Sequence, residues 1–197
     1  MKTYFLTLFL LVTISTKSQS WGVHLNGYYT IPTGEIVPET DLKRKEDGSA
    51  GFFKVFKLNS FDIHVELNVS HQKIEWKGKS LTNSQGYKTV DLAINYLEIP
   101  IMIKKRFYDE KIGLMGGLQN GILTNNPSFK EEDIREVITK GNTYRLSFLI
   151  GVDYDIFNSD FFVQLRYIGG ITKIFNTGDF KNSVISLGIA YILNSSN

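Results

Sequence analysis

From Trp21 onward the chain alternates apolar and polar residues with a period of two, in eight separate stretches. That period belongs to β-strands with one apolar face, because successive side chains point to opposite sides. The clearest stretch sets Phe61, Ile63, Val65, Leu67 and Val69 against Asp62, His64, Glu66, Asn68 and Ser70. The longest, Asp91 to Phe107, places Leu97, Ile99, Ile101 and Ile103 opposite Glu98, Pro100, Met102 and Lys104. Upstream of it Val90, Leu92, Ile94 and Tyr96 alternate in the opposite phase, which predicts a β-bulge between Tyr96 and Leu97, with Pro100 beside it.

The remaining stretches are Trp21–Ile31, Gly51–Leu58, Lys111–Thr124, Thr143–Ile156, Asp160–Ile174 and Ser183–Leu193. Gly51–Leu58 is aromatic on both faces, so its phase is open. Lys111–Thr124 carries Gly113, Gly117 and Gly121 on its polar face, which suits a small barrel that must curve and leave interior room.

The links between stretches alternate strictly in length. Pro32–Ala50, Lys77–Gly86, Asn125–Asn142 and Phe175–Asn182 are longer, whereas Asn59–Ser60, Tyr108–Glu110 and Phe157–Ser159 are short. A sandwich has no reason to sort its loops in this way. An even-stranded membrane barrel with short periplasmic turns and long outside loops does. Aromatic residues gather near strand ends: Trp21, Phe107, Tyr108, Phe157, Phe161 and Tyr191 on the short-turn side, Tyr29, Trp76, Tyr87, Tyr144, Phe175 and Phe180 on the other. Two interfacial girdles are the expectation. In the third long link, Ser128–Glu131 forms a capping-box pattern, and Ile134, Val137 and Ile138 would line a short helix.

The N-terminus reads as an export signal. Lys2 precedes the apolar run Tyr4–Ile14, and small residues at Ser18 and Ser20 precede Trp21. The expected organisation is a signal peptide over 1–20 and one outer-membrane β-barrel domain over 21–197. The run is too short for a membrane-crossing helix of about 20 residues. The balance of 22 Lys plus Arg against 20 Asp plus Glu gives no field directed at nucleic acid. The chain has no cysteine, which excludes disulfides, thiolate metal sites and thiol catalysis.

Three motifs resemble the PorT-type outer-membrane β-barrel family of Bacteroidetes. They are Tyr96-Leu-Glu-Ile-Pro-Ile-Met-Ile-Lys104, the Gly-rich strand Gly113–Gly121, and Val163–Ile171, in which Arg166 and Tyr167 precede a glycine. The resemblance implies an outer-membrane barrel. It also implies a link to protein secretion, since the named member of the family is implicated in secretion across that membrane. One departure is the C-terminus, where Tyr191-Ile-Leu193 is followed by Asn194–Asn197 rather than ending on an aromatic residue.

With apolar faces toward lipid, the inward polar residues are Glu66, Glu98, Lys104, Arg145, Asp153, Gln164 and Arg166. The interior of an eight-stranded barrel is just wide enough for side chains to fill, so these groups are expected to pair as a structural plug. Arg145 and Arg166 are the expected neighbours of Glu66 and Glu98. Of the three histidines, His24 and His64 fall inward and His71 on the opposite face, so no metal spacing results. No nucleophile motif or phosphate loop is present.

The expectation is a non-enzymatic, eight-stranded antiparallel up-and-down transmembrane barrel with no cofactor. Its partners would be outer-membrane lipid and other envelope proteins met through the long loops. The charge runs Lys43–Asp47 and Lys130–Asp133 are expected in those loops, where most such runs are simply solvated. The rival is a soluble exported lipocalin-like barrel with an apolar ligand inside, which the same alternation serves with the faces exchanged.

Overall fold

The computed structural model describes residues 19–33, 41–44, 46–79, 87–107, 111–124, 143–156, 160–173 and 181–195. The strands are β1 (Gln19–Thr33), β2 (Asp41–Arg44), β3 (Glu46–Lys57), β4 (Asp62–Lys79), β5 (Tyr87–Phe107), β6 (Ile112–Leu123), β7 (Tyr144–Asp155), β8 (Phe161–Gly170) and β9 (Lys181–Ser195). Round the wall the order is β4, β3, β1, β9, β8, β7, β6, β5, and β5 pairs back onto β4. Every pairing is antiparallel. The result is a closed eight-stranded barrel with no free edge round its ring. Closure gives every stave a hydrogen-bonded neighbour on both sides, the condition for crossing lipid with strands.

The short strand β2 is not a ninth stave. It lies on the same edge of β4 as β3, pairing Asp41–Arg44 with Lys77–Ile74, its register displaced by one residue from that of β3. Here the structure corrects the loop reading. Most of the link expected over Pro32–Ala50 is strand, and of the charge run Lys43–Asp47, Lys43 and Arg44 fall in β2 and Glu46 and Asp47 in β3, Lys45 lying outside the described residues. The proposed helix around Ser128–Ile138 and the charge run Lys130–Asp133 lie outside the described residues.

The outward phase is apolar. Leu25, Phe52, Val69, Leu114, Leu118, Ile150, Leu165, Leu187 and Ile189 all stand exposed on the barrel wall, with Val69 63% exposed. Trp21, Phe107 and Phe161 are exposed at the short-turn end, and Tyr29 and Tyr144 near the long-link end. In β3, whose phase was open, Phe53 and Val55 point inward with Phe162 and Ala190 while Phe52 points out.

The expected bulge at Tyr96 is absent. β5 holds one register against β6 from Tyr96 to Phe107, and one register against β4 on either side of a gap. Ile94 and Tyr96 are therefore buried in the lumen, in phase with Glu98, Met102 and Lys104. Hydrophobicity reverses here because the outward residues become Ala93 and Asn95 while Ile94 and Tyr96 turn into the lumen, Tyr96 with its ring against the Arg145 guanidinium. The backbone does not slip. The gap in the β4 ladder falls opposite Ile99 and Pro100, where pairing skips from Val65–Ile101 to Asn68–Glu98. Proline has no N–H to contribute to a ladder. A register shift does occur in the β1–β9 pair, where Trp21 opposes Asn194 and Gly22 opposes Ile192, leaving Leu193 as the extra residue.

Candidate functional site: the ion-paired lumen

The lumen is built by the inward residues of all eight staves. Glu66, Glu98, Lys104, Arg145, Asp153, Gln164 and Arg166 are each buried there, Glu98 with no exposed surface at all. They sort into three levels along the axis, set by strand direction.

At mid-height Arg166 of β8 meets Glu66 of β4. Its Nη1 donates to Glu66 Oε2 at 2.8 Å and its Nη2 to Oε1 at 2.7 Å. The same Nη2 donates to Gln164 Oε1 at 2.6 Å. Asn68 Nδ2 donates to Glu66 Oε2 at 3.2 Å, and its Oδ1 lies 2.7 Å from His24 Nε2. Since Asn68 Oδ1 is only an acceptor, the His24 proton is assigned to Nε2. His24 Nδ1 then faces Glu66 at 3.7 Å.

Toward the long-link end Arg145 of β7 is the hub. Its Nη1 donates to Gln72 Oε1 at 3.2 Å and its Nη2 to the Asn182 carbonyl at 3.2 Å. Asn182 Nδ2 also donates to Gln72 Oε1, at 2.7 Å. The guanidinium lies 5.5 Å from the Tyr96 ring centroid, within cation–π range. Glu98 Oε1 is 3.7 Å from Arg145 Nη1, an ion pair too long for a hydrogen bond. Near the short-turn end Lys104 of β5 donates to Asp153 of β7. Lys104 and Arg106 both stand over the ring of Phe162, 5.3 and 5.0 Å from its centroid.

Inward glycines let these contacts form. Strands one apart in the wall are separated by about 9.6 Å, twice the ladder spacing. A side chain on the stave between them would fill that space. Gly121 of β6 sits directly between Glu98 and Arg145. A Cβ on Gly113 would collide with both the Lys104 side chain and the Asp153 carboxylate. On the other wall, Gly51 lies between His24 and Asn68, and a Cβ there would strike both. Gly51 and Gly113 are sockets through which two flanking strands exchange a polar contact, whereas a Cβ on Gly121 would meet Arg145, Tyr96 and Glu98 only at ordinary contact distances of 3.5 to 3.7 Å.

Sequence reasoning placed the charges inward but missed the apolar part of the lumen. Tyr28, Met102, Met115, Leu149, Ile168 and Val184 form a buried cluster between the ionic levels. His24 and His64 are buried, and His71 is exposed. No group of three or more His, Cys, Asp or Glu with metal-binding geometry occurs among the described residues. The lipocalin-like rival needs an apolar cavity and a polar exterior. The observed arrangement has charges inside and an apolar wall outside.

Residues 22–176 match the family model described as outer membrane protein beta-barrel domain. No curated protein sequence matches the chain significantly. Among solved structures, the outer membrane protein OprG from Pseudomonas aeruginosa aligns with a TM-score of 0.53 at 10% identity, covering 91% of this chain and 98% of that one. Ail, the attachment invasion locus protein of Yersinia pestis, aligns at 0.49 and 11% identity, covering 90% and 99%. Neisserial surface protein A aligns at 0.45 and 14% identity, covering 87% and 96%.

Proposed function

Since this chain belongs to the outer membrane protein beta-barrel domain family, we propose that it serves the bacterial outer membrane as a non-enzymatic structural or accessory barrel of PorT-like type. Its N-terminal export signal is removed on the way, and since β1 begins at Gln19, cleavage before Trp21 would shorten that strand by two residues. Its short turns face the periplasm and its long links face outward, where they contact other envelope proteins. The observation that carries this reading is the lumen. Three ion-pair levels and an apolar cluster fill it above a cavity of about 490 Å³ at the short-turn mouth, so the barrel acts as a rigid wall element rather than a pore.

Two measurements test it. Reconstituted in a planar bilayer, the barrel should show no steady conductance. A stable open channel would overturn the plugged reading. In cells lacking the protein, a loss of secreted proteins from the culture medium would support the secretion-accessory role that the motifs at Tyr96–Lys104 and Gly113–Gly121 suggest. An unchanged secretome would remove that role and leave binding through the long links.

A further inference from the structure

The apolar outer wall has a polar break on β6. The outward positions of that strand run Leu114, Gly116, Leu118, Asn120 and Ile122. Asn120 is exposed, flanked by Ile99 of β5 and Leu146 of β7. Leu118, 51% exposed, stands next to it on the short-turn side and Ile122 on the long-link side. The row that holds Ile122 is still apolar, with Leu97 on one side of it and the exposed ring of Tyr144 on the other. Asn120 therefore lies inside the apolar band, below the tyrosine level.

Outward polar groups elsewhere have a contact at hand. Lys54 stands over the Phe56 ring, 5.3 Å from its centroid, and His71 is hydrogen-bonded to Asn95. The Asn120 amide has no hydrogen-bonding partner among the described residues. Hydrocarbon cannot supply one, and leaving a carboxamide unsatisfied in it is costly. The group calls for a polar partner at its own depth.

A second copy of the chain meets that condition. Copies of a membrane protein insert in one orientation, so a two-fold axis relating two of them runs along the membrane normal. Asn120 of one barrel then faces Asn120 of the other at equal depth. An amide is complementary to itself, each oxygen accepting from the other's N–H. Polar side chains and small residues are what hold protein surfaces together within a bilayer. A small residue is present on the same face. Gly116 lies between Ile103 and Ile150, and a Cβ there would meet just the Leu149 carbonyl oxygen at 3.8 Å, so the wall dips at that point.

We infer that this face, centred on Asn120, is where two copies of the barrel associate within the membrane. The paired amides form the centre, and the dip at Gly116 receives an apolar side chain of the other copy. The contact goes beyond the structural role above and does not depend on the long links.

The chain has no cysteine, so a single introduced one reports contacts without background. Leu118→Cys in outer-membrane vesicles, oxidised with copper phenanthroline, should give a band at twice the monomer mass. Adding Asn120→Leu to it should remove most of that band. Leu25→Cys, exposed on β1 four staves away, should stay monomeric. By sedimentation equilibrium in density-matched detergent, Asn120→Leu should raise the dissociation constant of the dimer about three- to tenfold. Asn120→Ala serves if the leucine variant does not fold. A mobility change on boiling verifies that each barrel is intact, so loss of the contact is distinguished from failure of the barrel itself. The proposal is overturned if intact Leu118→Cys gives no dimer, if Leu25→Cys crosslinks equally, or if an intact Asn120 variant associates as tightly as the wild type. A crosslink to a protein of another mass would also overturn it, and would assign the face to a different envelope protein.

Discussion

Arg166 and Glu66 join across the full width of the barrel, from β8 and β4, four staves apart in either direction round the wall. The two residues are 100 positions apart in sequence. Two charge-assisted hydrogen bonds in fork geometry hold them, the strongest form such a pair takes. Removing one partner from a buried pair leaves the other charge uncompensated, which costs about 3–5 kcal/mol. Arg166→Met should therefore lower unfolding free energy in lipid vesicles by that order. The double variant Arg166→Met with Glu66→Met should recover most of the loss, measured by urea denaturation. Equal losses in single and double variants would count against a coupled pair.

The two glutamates should behave differently. Glu66 accepts three hydrogen bonds, two of them from the Arg166 guanidinium, whereas Glu98 meets its cation Arg145 only at 3.7 Å and has the neutral side chains of Ser70 and Gln119 as its other polar neighbours. Glu98→Gln should thus cost far less stability than Glu66→Gln, which forfeits charge-assisted bonds worth about 1.5–3 kcal/mol each. Side-by-side urea midpoints of the two variants check the order.

Glycine position decides tolerance in β6. Gly113→Val would drive methyl groups into Lys104 and Asp153. Overpacking of this kind typically costs about 1–3 kcal/mol. Gly116 faces the other way, and a Cβ there meets only a backbone oxygen at 3.8 Å. Gly116→Ala should leave the unfolding midpoint unchanged. A tolerated Gly113→Val would refute the socket role.

The outer wall is open to a direct test. Leu118 pairs with Phe148 across β6 and β7, and both are exposed in the apolar band. Leu118→Arg at mid-membrane should cost about 2–4 kcal/mol and reduce insertion into vesicles. Unimpaired assembly would mean that this face does not meet lipid.

The native barrel should also run anomalously on a gel. Unboiled protein from a purified outer-membrane fraction is expected to migrate differently from boiled protein, since a closed hydrogen-bonded ring resists detergent unfolding. Identical mobility would argue against a stable closed barrel.

Much of this fold was readable in the residues. Strict alternation at Ile63–Val69 and at Tyr144–Tyr154 sets which side chains share a face, because the period of a strand is two whatever surrounds it. That determined the apolar wall, the eight staves and the inward set from Glu66 to Arg166. It misled at Ile94 and Tyr96, where hydrophobicity changed sides while the backbone kept its phase, and in Pro32–Ala50, where charged residues form strand.

The partnerships inside the lumen were decided only by closure. Whether Arg145 meets Glu98 or Glu66 depends on the register of every ladder between them, and on which stave carries a glycine at that height. Gly113 and Gly121 were visible as inward glycines, whereas the phase of Gly51 was open. The meaning of Gly51 and Gly113 as sockets appeared only once His24 and Asn68, and Lys104 and Asp153, stood on either side of them. Local alternation is written residue by residue, but pairing across the barrel depends on how the whole ring closes.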